Sequence, residues 1–266
     1  MKQERSAAQA QIGVSGSQTL MRGLDVIELA SQGTASLTDI AAGLGLTRST
    51  AHRLASSLVE RGYLAFTPRA GYRLGAKLLQ LGHLAQAQAN IVQVARPYLE
   101  DLALETQDTV HLGVLDHRHV LYLDKMPGKR RITISSRIGD RQPLTSTGLG
   151  KALMLDQPVA DWIAQLDADG HEGGLHTDRD QWLTRMHGYV AVGRAFDLEE
   201  NEDRVRCVAA PVRDAAGSIA GALSVSSAAQ YMDDDRMQTL SETVVRAAQG
   251  ISRDLGWSHG ENVVAA

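Results

Sequence analysis

The stretch from residue 37 to residue 64, LTDIAAGLGLTRSTAHRLASSLVERGYL, decides the fold of the first part of this chain. Thr38 is a polar residue that can cap a short helix, and Gly43 and Gly45 allow a tight turn around Leu44. Thr47 can then cap a second helix. The stretch therefore predicts two short helices joined by a turn.

The second of these helices has an apolar side and a polar side. Ala51, Leu54 and Leu58 are three and four residues apart, so they share one face that can be buried. The other side offers donors and hydroxyls that a helix can present to the major groove of DNA. The residues that we predict to contact DNA there are Thr47, Arg48, Ser49, Thr50, His52 and Arg53. On this pattern alone, a helical pair whose charges are merely solvated is an equally good interpretation.

The residues after Gly62 favour the DNA-binding interpretation. The sequence YLAFTPRAGYRL contains two short runs that are typical of strands, and residues 68–71 between them form a turn signal. A hairpin here has Arg69 at its tip and Arg73 just beyond it, where each can contact phosphates or a minor groove. Two helices followed by this hairpin predict a winged helix-turn-helix.

Length and charge limit the class of protein. A chain of 266 residues suggests two domains, and the net charge of −4 alone argues against nucleic acid. However, residues 1–90 carry nine Lys and Arg against five Asp and Glu, while the rest carries 18 against 26. A basic N-terminal segment followed by an acidic C-terminal segment indicates that DNA contact is confined to the N-terminal part of the chain.

The single cysteine, Cys207, excludes an internal disulfide and any metal site built from several cysteines. The chain has no apolar run near the ~18 residues that cross a bilayer, and its N-terminus lacks the apolar core of a signal peptide. We therefore expect a cytoplasmic protein with no membrane partner, no metal and no cofactor.

The chain is divided by composition into five segments. We predict a mobile arm at residues 1–16, a DNA-binding domain at 17–76, a linker helix at 77–92, a ligand-binding domain at 93–257 and a tail at 258–266. Ser17 or Thr19 is expected to cap a first helix whose apolar face contains Leu20, Leu24 and Ile27.

The linker helix has an apolar stripe of Leu78, Leu81 and Ala85, which predicts pairing with a second copy of the chain. Pro97 is expected early in the helix that follows.

Beyond the linker the chain alternates strands and helices. Two strands are predicted around the turn at residues 116–118, a half-buried strand at 131–138 and two buried strands at 207–212 and 219–226. Helices are predicted at 149–155 and 159–166, another that closes at 184–187, and a long amphipathic one at 232–255. The result is an α+β sheet domain that can hold a small ligand.

Several residues of this domain could carry chemistry. The loop Ser146–Lys151 lacks the first glycine and the final Ser or Thr of a phosphate-binding loop, so it is either an anion-binding helix start or a plain cap. The pair His117 and His119 is better interpreted as solvated than as metal-binding, since no third ligand has a matching spacing.

Cys207 is interpreted as a buried pocket thiol, although a nucleophilic role with His111 as base remains an alternative hypothesis. The acids at residues 197–203 are interpreted mostly as a solvated loop, from which one acid could turn into a pocket. Ser224 and Ser226 point to the same side of one buried strand and need polar partners, which a ligand would supply.

Taken together, these motifs resemble the IclR family of bacterial transcriptional regulators. The resemblance covers about residues 17–256 and rests on the stretch quoted first and on GYRLG, ARPYLEDLALET, TVHLGVLD, VLYLDK, STGLGKALM, EENEDRVRCVAAPVRDAAGSIAGALSVS and the closing helix. It implies a winged helix-turn-helix, a linker helix and a GAF-like α/β effector-binding domain, in homodimers or dimers of dimers that bind operator DNA.

The resemblance also implies a pocket for a small organic-acid effector. The residues that it indicates, with two apolar walls, are Ile134, Leu144, Gly148, Leu149, Asp197, Cys207, Ser224 and Ser226. The chain departs from the family pattern at Arg204, where glycine is common, and in a segment before Asp197 that is a few residues longer than usual. A DNA-binding protein without an effector is a further alternative.

Overall fold

The computed structural model describes residues 18–130, 134–171 and 178–258. The chain divides into two compact units, with the division between Gln88 and Ala89. The predicted arm at residues 1–16, the cap candidate Ser17 and residues 259–266 of the predicted tail lie outside the described residues. No helix in the described ranges is long and apolar enough to cross a membrane.

The N-terminal unit is a winged helix-turn-helix, as predicted. Three helices, α1 (Gln18–Ser31), α2 (Leu37–Gly43) and α3 (Arg48–Glu60), precede a hairpin of β1 (Leu64–Thr67) and β2 (Gly71–Leu74). Their apolar faces meet in one core, which contains Val26, Ala30, Ile40, Ala51, Leu54, Ala55, Leu64 and Tyr72.

Of the caps predicted for α2 and α3, one is wrong. Ser36, not Thr38, caps α2: its Oγ accepts from Asp39 N at 3.2 Å, and the Asp39 carboxylate accepts from Ser36 N at 2.8 Å. These two hydrogen bonds give partners to the backbone amides of Ser36 and Asp39, which would lack them if Thr38 were the cap. The other prediction is confirmed, since Thr47 caps α3 through the amide of Thr50.

Leu20, Leu24 and Ile27 share one side of α1, as predicted, and line a groove with Leu54 and Leu58, but this is not the buried side of the helix. Val26 and Ala30 are the buried residues, whereas Leu20 is 62% exposed and Leu24 is 43% exposed. Helix α1 carries two apolar stripes, and only the one that contacts α3 and β2 enters the core. Thr19 lies inside the first turn and is not the cap.

Two helices follow the hairpin. Helix α4 (Ala76–Gln88) ends two residues before Asn90, whose side chain accepts from Val92 N at 3.0 Å and caps α5 (Ile91–Thr106). Pro97 is therefore the seventh residue of its helix, farther from the start than the early position that was predicted.

The C-terminal unit is built on a six-stranded antiparallel sheet. Its strands, in spatial order β5-β4-β3-β8-β7-β6, are β3 (Thr109–Asp116), β4 (His119–Met126), β5 (Arg141–Pro143), β6 (Ala195–Leu198), β7 (Val205–Arg213) and β8 (Ile219–Ala228). Its other helices are α6 (Gly148–Leu153), α7 (Val159–His171), α8 (Arg179–Val192) and α9 (Asp234–Asp254).

The two faces of the sheet have different surroundings. On one face, alternate residues such as Val110, Val208 and Val225 pack against α5 and α9 in a fully apolar core. The other face is covered by α6, α7 and α8, and a second core contains Trp162 and Trp182. The second face also carries the polar residues of β3, β7 and β8, because side chains alternate along a strand.

Two further predictions for this unit are wrong. Residues 134–138 do not form a strand, because the carbonyls of Ile134 and Ser136 accept from Lys125 Nζ instead of pairing in the sheet; residues 131–133 lie outside the described ranges. Helix α8 does not close at His187 but continues to Val192, and Gly193 caps it with φ 65°.

The acidic cluster is predicted to be mostly solvated, with one acid that could turn into a pocket, and the structure agrees for most of its members. Glu199, Glu202 and Asp203 are exposed, whereas Asp197 lies in strand β6 and its side chain and that of Glu200 are buried.

Candidate functional site

The polar side of α3 lies on the surface of the N-terminal unit. Arg48, Ser49, His52 and Arg53 are exposed, because the opposite face of the helix is held in the core by Ala51 and Leu54. Of the other two residues predicted to contact DNA, Thr50 is half-buried and Thr47 is exposed, and their hydroxyls bond each other at 2.9 Å.

A groove of about 670 Å³ separates α3 from the hairpin, and three of the predicted DNA-binding residues line it: Arg48, His52 and Arg69. Arg69 is at the hairpin tip with φ 71°, and Arg73 is exposed on β2 but does not line the groove. Two cationic side chains and an imidazole therefore face one concave surface, which can accept a phosphate backbone or a base edge.

A second cavity, of about 70 Å³, lies in the C-terminal unit on the polar face of the sheet. Seven of the eight residues predicted for an effector pocket line it, and Leu144 does not, since it packs in the core under α6 and α8. The lining residues that the prediction did not include are His111, Tyr122, Ser135, Ser136, Asp140, Gln142, Thr147, Asn201, Glu202 and Val205.

Sheet register explains why distant parts of the sequence meet in this cavity. Asp197 pairs with Cys207, and Cys207 pairs with Ser226, in one row across three strands. In the next row Ser224 pairs with His111. The pairing of a strand with its neighbours cannot be read from a single sequence, so only the resemblance brought these residues together in advance.

The loop before α6 closes the cavity against β7. Thr147 caps the helix by accepting from Gly150 N at 3.0 Å. A Cβ on Gly148 would lie 2.5 Å from Cys207 Sγ, so only glycine allows this close approach.

His111 is a buried residue with two hydroxyl neighbours. Its Nε2 lies 2.7 Å from Ser136 Oγ, and its Nδ1 lies 3.5 Å from Ser226 Oγ. Burial, together with the charge of Lys125, lowers the pKa of His111 to about 3, so the ring is neutral at physiological pH. A neutral ring presents one donor and one acceptor to its surroundings.

Asp197 and Cys207 are both buried against the cavity. Burial raises the pKa of Asp197 to about 6, although Lys151 opposes this and Glu200 N donates to its carboxylate at 2.8 Å. Burial likewise raises the pKa of Cys207 to about 12. The cysteine is therefore a neutral thiol and not the thiolate that a nucleophile requires.

Sequence reasoning missed a buried ion pair behind the cavity. Lys151 is 1% exposed, donates to Phe196 O at 2.9 Å and is paired with the carboxylate of Glu200, which Arg185 approaches at 3.1 Å. No local pattern distinguishes this lysine from one in a solvated turn of helix. The pair anchors the strand that carries Asp197 to α6.

Ser224 is one of the polar groups that line the cavity without a protein partner. Its side chain is 1% exposed, and its Oγ has no hydrogen bond to another described residue. A ligand oxygen in the cavity could therefore bond this hydroxyl.

The histidines of the β3–β4 turn give no sign of a metal site. His117 has a side chain that is 91% exposed, and the described ranges of the chain contain no cluster of three or more His, Cys, Asp or Glu that could hold a metal ion.

Comparison with known proteins identifies both units. Family models described as "IclR helix-turn-helix domain" and "Bacterial transcriptional regulator IclR C-terminal" match residues 19–68 and 83–253. The chain is 34% identical to the HTH-type transcriptional regulator XynR of Escherichia coli, over 90% of this chain and 98% of XynR.

It is also 30% identical to the DNA-binding transcriptional repressor YiaJ of the same organism, over 97% of this chain and 94% of YiaJ. Among solved structures, that of Thermotoga maritima IclR is 27% identical, covers 90% of this chain with 99% of its own, and has a TM-score of 0.58.

Proposed function

Because the chain belongs to the IclR family of bacterial transcriptional regulators, we propose that it controls a catabolic operon by binding a specific operator. A small organic acid or sugar acid in the C-terminal cavity adjusts that binding. The observation that carries the proposal is the combination of a helix-turn-helix unit with a separate unit whose polar cavity contains the unpartnered hydroxyl of Ser224.

The exposed side of α3 reads bases in the proposed complex. Arg48 and His52 share a groove with Arg69, so α3 can enter the major groove while the hairpin contacts the neighbouring backbone. Arg53 and Arg73 are exposed outside this groove, where phosphate contact suits them better. Thr47, Ser49 and Thr50 complete the proposed contacts at the start of the helix.

The effector contacts the cavity residues through complementary groups. Backbone amides of Gly148 and Leu149 are proposed to bind its carboxylate, while Asp197, Ser224 and Ser226 bind its other oxygens. Ile134 and the Cys207 thiol form apolar walls. Leu144 has no contact with the cavity and is omitted from the proposed site.

The active form is proposed to be a homodimer, further paired into a dimer of dimers, that acts in the cytoplasm. Exposed leucines on α4, among them Leu79 at 78% and Leu84 at 54%, support self-association, since exposed apolar stripes mark interfaces. Two copies would place two recognition helices on the halves of a near-palindromic operator.

An enzymatic function is not part of the proposal. The relatives compared are transcriptional regulators, and the neutral thiol of Cys207 does not suit a nucleophile. His111, the base of that alternative hypothesis, has a ring that is too weakly basic near neutral pH to accept a proton readily.

A DNA selection followed by a binding assay tests the proposal. Full-length protein is used to enrich sites from random DNA, and affinity for the enriched and a scrambled duplex is measured by fluorescence anisotropy. Arg48→Ala should lower affinity for the enriched site by about tenfold to a hundredfold, since a bidentate base contact is worth ~1–3 kcal/mol, and should change scrambled binding much less.

Arg61→Ala is the matched control, because Arg61 is exposed at the far end of α3 and does not line the groove. If no sequence is enriched, the proposed regulator function fails. Equal losses on both duplexes would show that Arg48 contacts only phosphate.

A further inference from the structure

The residues that the proposed ligand contacts are closed off from solvent. Ser224, Asp197 and Cys207 line the cavity and are 1%, 4% and 6% exposed. A ligand therefore cannot reach them unless one wall of the cavity moves. We propose that this wall is the segment of residues 134–138, which we call the strap, and that Lys125 controls how often the strap opens. The inference rests on the proposed ligand-binding function and adds the control of access to that site.

The other walls of the cavity are held by regular structure. One wall consists of β3, β8 and β7, which are inner strands of the sheet and are paired on both sides. The loop before α6 lies against β7, where a Cβ on Gly148 would be 2.5 Å from Cys207 Sγ. Strand β6 is joined to α6 by the buried ion pair of Glu200 with Lys151. Opening at these walls would break paired strands or a buried ion pair, and both are costly.

The strap is held over the cavity mainly by polar contacts. It forms no strand, and its buried side chain Ile134 belongs to neither apolar core of the unit. Lys125 Nζ donates to the carbonyls of Ile134 and Ser136 at 2.7 and 2.6 Å. A segment with few apolar contacts and a few exchangeable hydrogen bonds is the part of a fold that opens most easily.

Sheet register places two side chains on the same strap residue. His111 on β3 pairs with Lys125 on β4, so the two side chains lie next to each other. His111 Nε2 lies 2.7 Å from Ser136 Oγ, while Lys125 Nζ binds the Ser136 carbonyl. The lysine makes two charge-assisted hydrogen bonds, which are stronger than the neutral contact of the histidine. Lys125 is therefore the main residue that keeps the strap closed.

The strap ends in a turn that can act as a hinge. Asp140 N donates to Arg137 O at 3.1 Å, and Gly139 lies between them with φ 92°, which glycine adopts without strain. The far side of the turn is fixed to β4, since Gly139 N donates to Tyr122 O at 2.8 Å and Tyr122 N donates to Asp140 O at 3.0 Å. Rotation at this turn moves the strap away from the cavity and leaves β5 paired with β4.

Iodoacetamide labelling of Cys207 in the full-length protein measures the opening without any ligand. Cys207 is the single cysteine of the chain and lines the cavity, so the mass of the intact protein reports its labelling. For a rarely open segment, the labelling rate is the opening equilibrium constant multiplied by the rate of the open form. Lys125→Met keeps an unbranched side chain but removes both hydrogen bonds, and should raise the rate about tenfold or more.

Two variants serve as controls. Lys129→Met removes an exposed lysine close to Lys125 in sequence, and its labelling rate should stay within about twofold of the native rate. Ser146→Ala tests an entrance at the β6 end of the sheet, where Ser146 Oγ donates to Asn201 Oδ1 at 3.0 Å. Its rate should also be unchanged. If Ser146→Ala labels faster than Lys125→Met, the entrance lies there and the proposal is overturned.

Low concentrations of urea separate strap opening from unfolding. Local opening exposes little surface, so the Lys125→Met rate should be nearly constant below the unfolding transition, whereas labelling through global unfolding rises steeply with urea. A rate with that steep dependence, or one equal to the native rate, contradicts the proposal. If Lys125→Met does not fold, Ser136→Ala removes the contact with His111 and should raise the rate about threefold, with the same two outcomes against it.

These measurements use neither an effector nor DNA. They can therefore fail while the proposed regulator still enriches an operator, in which case the ligand enters by another wall. The converse result, an opening strap on a protein that enriches no DNA sequence, would overturn the regulator function and leave the strap in place.

Discussion

At the scale of single residues, Asp197 is held where its charged form is disfavoured. Its side chain is buried on β6, and its pKa is raised from 3.8 to about 6 mainly by the loss of water around it. The partial compensation by Lys151 does not remove this effect. A buried carboxylate of this kind destabilises the fold in the absence of a ligand, and strongly perturbed groups are common at functional sites.

We predict that Asp197→Asn stabilises the protein near neutral pH. In the folded chain Asp197 holds its proton up to about pH 6, so the free energy of unfolding falls as the pH rises from about 4 to about 6 and then stays level. The Asp197→Asn variant does not lose stability in this way, because asparagine does not titrate. Its free energy of unfolding at pH 7 should exceed that of the native protein by up to about 3 kcal/mol, since one pKa unit corresponds to ~1.4 kcal/mol. Urea unfolding at pH 4 and pH 7 measures the difference.

Asp203→Asn is the control for this comparison, because Asp203 is exposed and close in sequence. Its free energy of unfolding should change by no more than about 0.5 kcal/mol at either pH. A gain for Asp197→Asn that is the same at pH 4 and pH 7 would contradict the assigned cause.

Cys207 should be slow to alkylate in the native protein. Burial raises its pKa to about 12, so almost no thiolate is present near neutral pH. Iodoacetamide labelling at pH 7.5 is therefore expected to be at least about a hundredfold slower in buffer than in guanidinium chloride. Fast labelling in buffer would revive the hypothesis of a nucleophile.

Sequence identified some of these residues for physical reasons and missed others. Ser224 and Ser226 were found because strand alternation puts two hydroxyls on one side of a buried run. His111 was named only as a base, and Lys151 was not recognised as buried, since both roles depend on neighbours from distant strands and loops. Arg204 has a φ of 62°, a conformation that glycine adopts more easily, and this agrees with the glycine that the family resemblance leads one to expect there.

At the scale of elements, helix α4 carries an apolar surface that its own unit leaves exposed. Leu79, Leu81 and Leu84 are 78%, 39% and 54% exposed, while Leu78 is half-buried. Of the predicted apolar stripe, Leu81 is therefore exposed in the structure, and Leu84 lies one turn away from it on the same helix. A free helix with this surface is unfavourable in water, which supports pairing with a second copy.

We predict that Leu81→Arg combined with Leu84→Arg weakens self-association. The arginines place two charges in the apolar surface, and the fold should be unaffected because both leucines are exposed in the single chain. Sedimentation velocity over a concentration series should show a dissociation constant raised by about tenfold or more.

Far-UV circular dichroism of this variant should show an unchanged helix content. A matched exchange of Leu104, also exposed but on α5, tests whether any exposed leucine has this effect. An unaltered association constant for the α4 variant would exclude this helix from the interface.

The elements differ in how well sequence predicts them. The winged helix-turn-helix was predicted because turn glycines, caps and an apolar stripe are all local signals. Strands β5 and β6, with three and four residues, are too short to show a period. The strand predicted at residues 131–138 rests on alternation alone, and its described part is not a strand because the carbonyls of Ile134 and Ser136 accept from Lys125 Nζ. Hydrogen bonds to residues distant in the sequence determine whether each of these segments forms a strand.

At the scale of the whole molecule, charge and chemistry are divided between two units. The first 90 residues carry a net positive charge and include the exposed face of α3. The rest of the chain carries a net negative charge and includes the polar cavity. In the proposed account the two units are coupled: a ligand bound in the cavity changes the affinity for operator DNA, and by linkage the DNA changes the affinity for the ligand equally.

Fluorescence anisotropy of the enriched operator, titrated with protein in the absence and presence of a saturating organic-acid or sugar-acid effector found by thermal-shift screening, tests this coupling most directly. The account predicts that the effector changes the operator dissociation constant by about 5- to 150-fold in the native protein and not in Ser224→Ala. An operator affinity that stays constant while calorimetry shows the effector bound would contradict it.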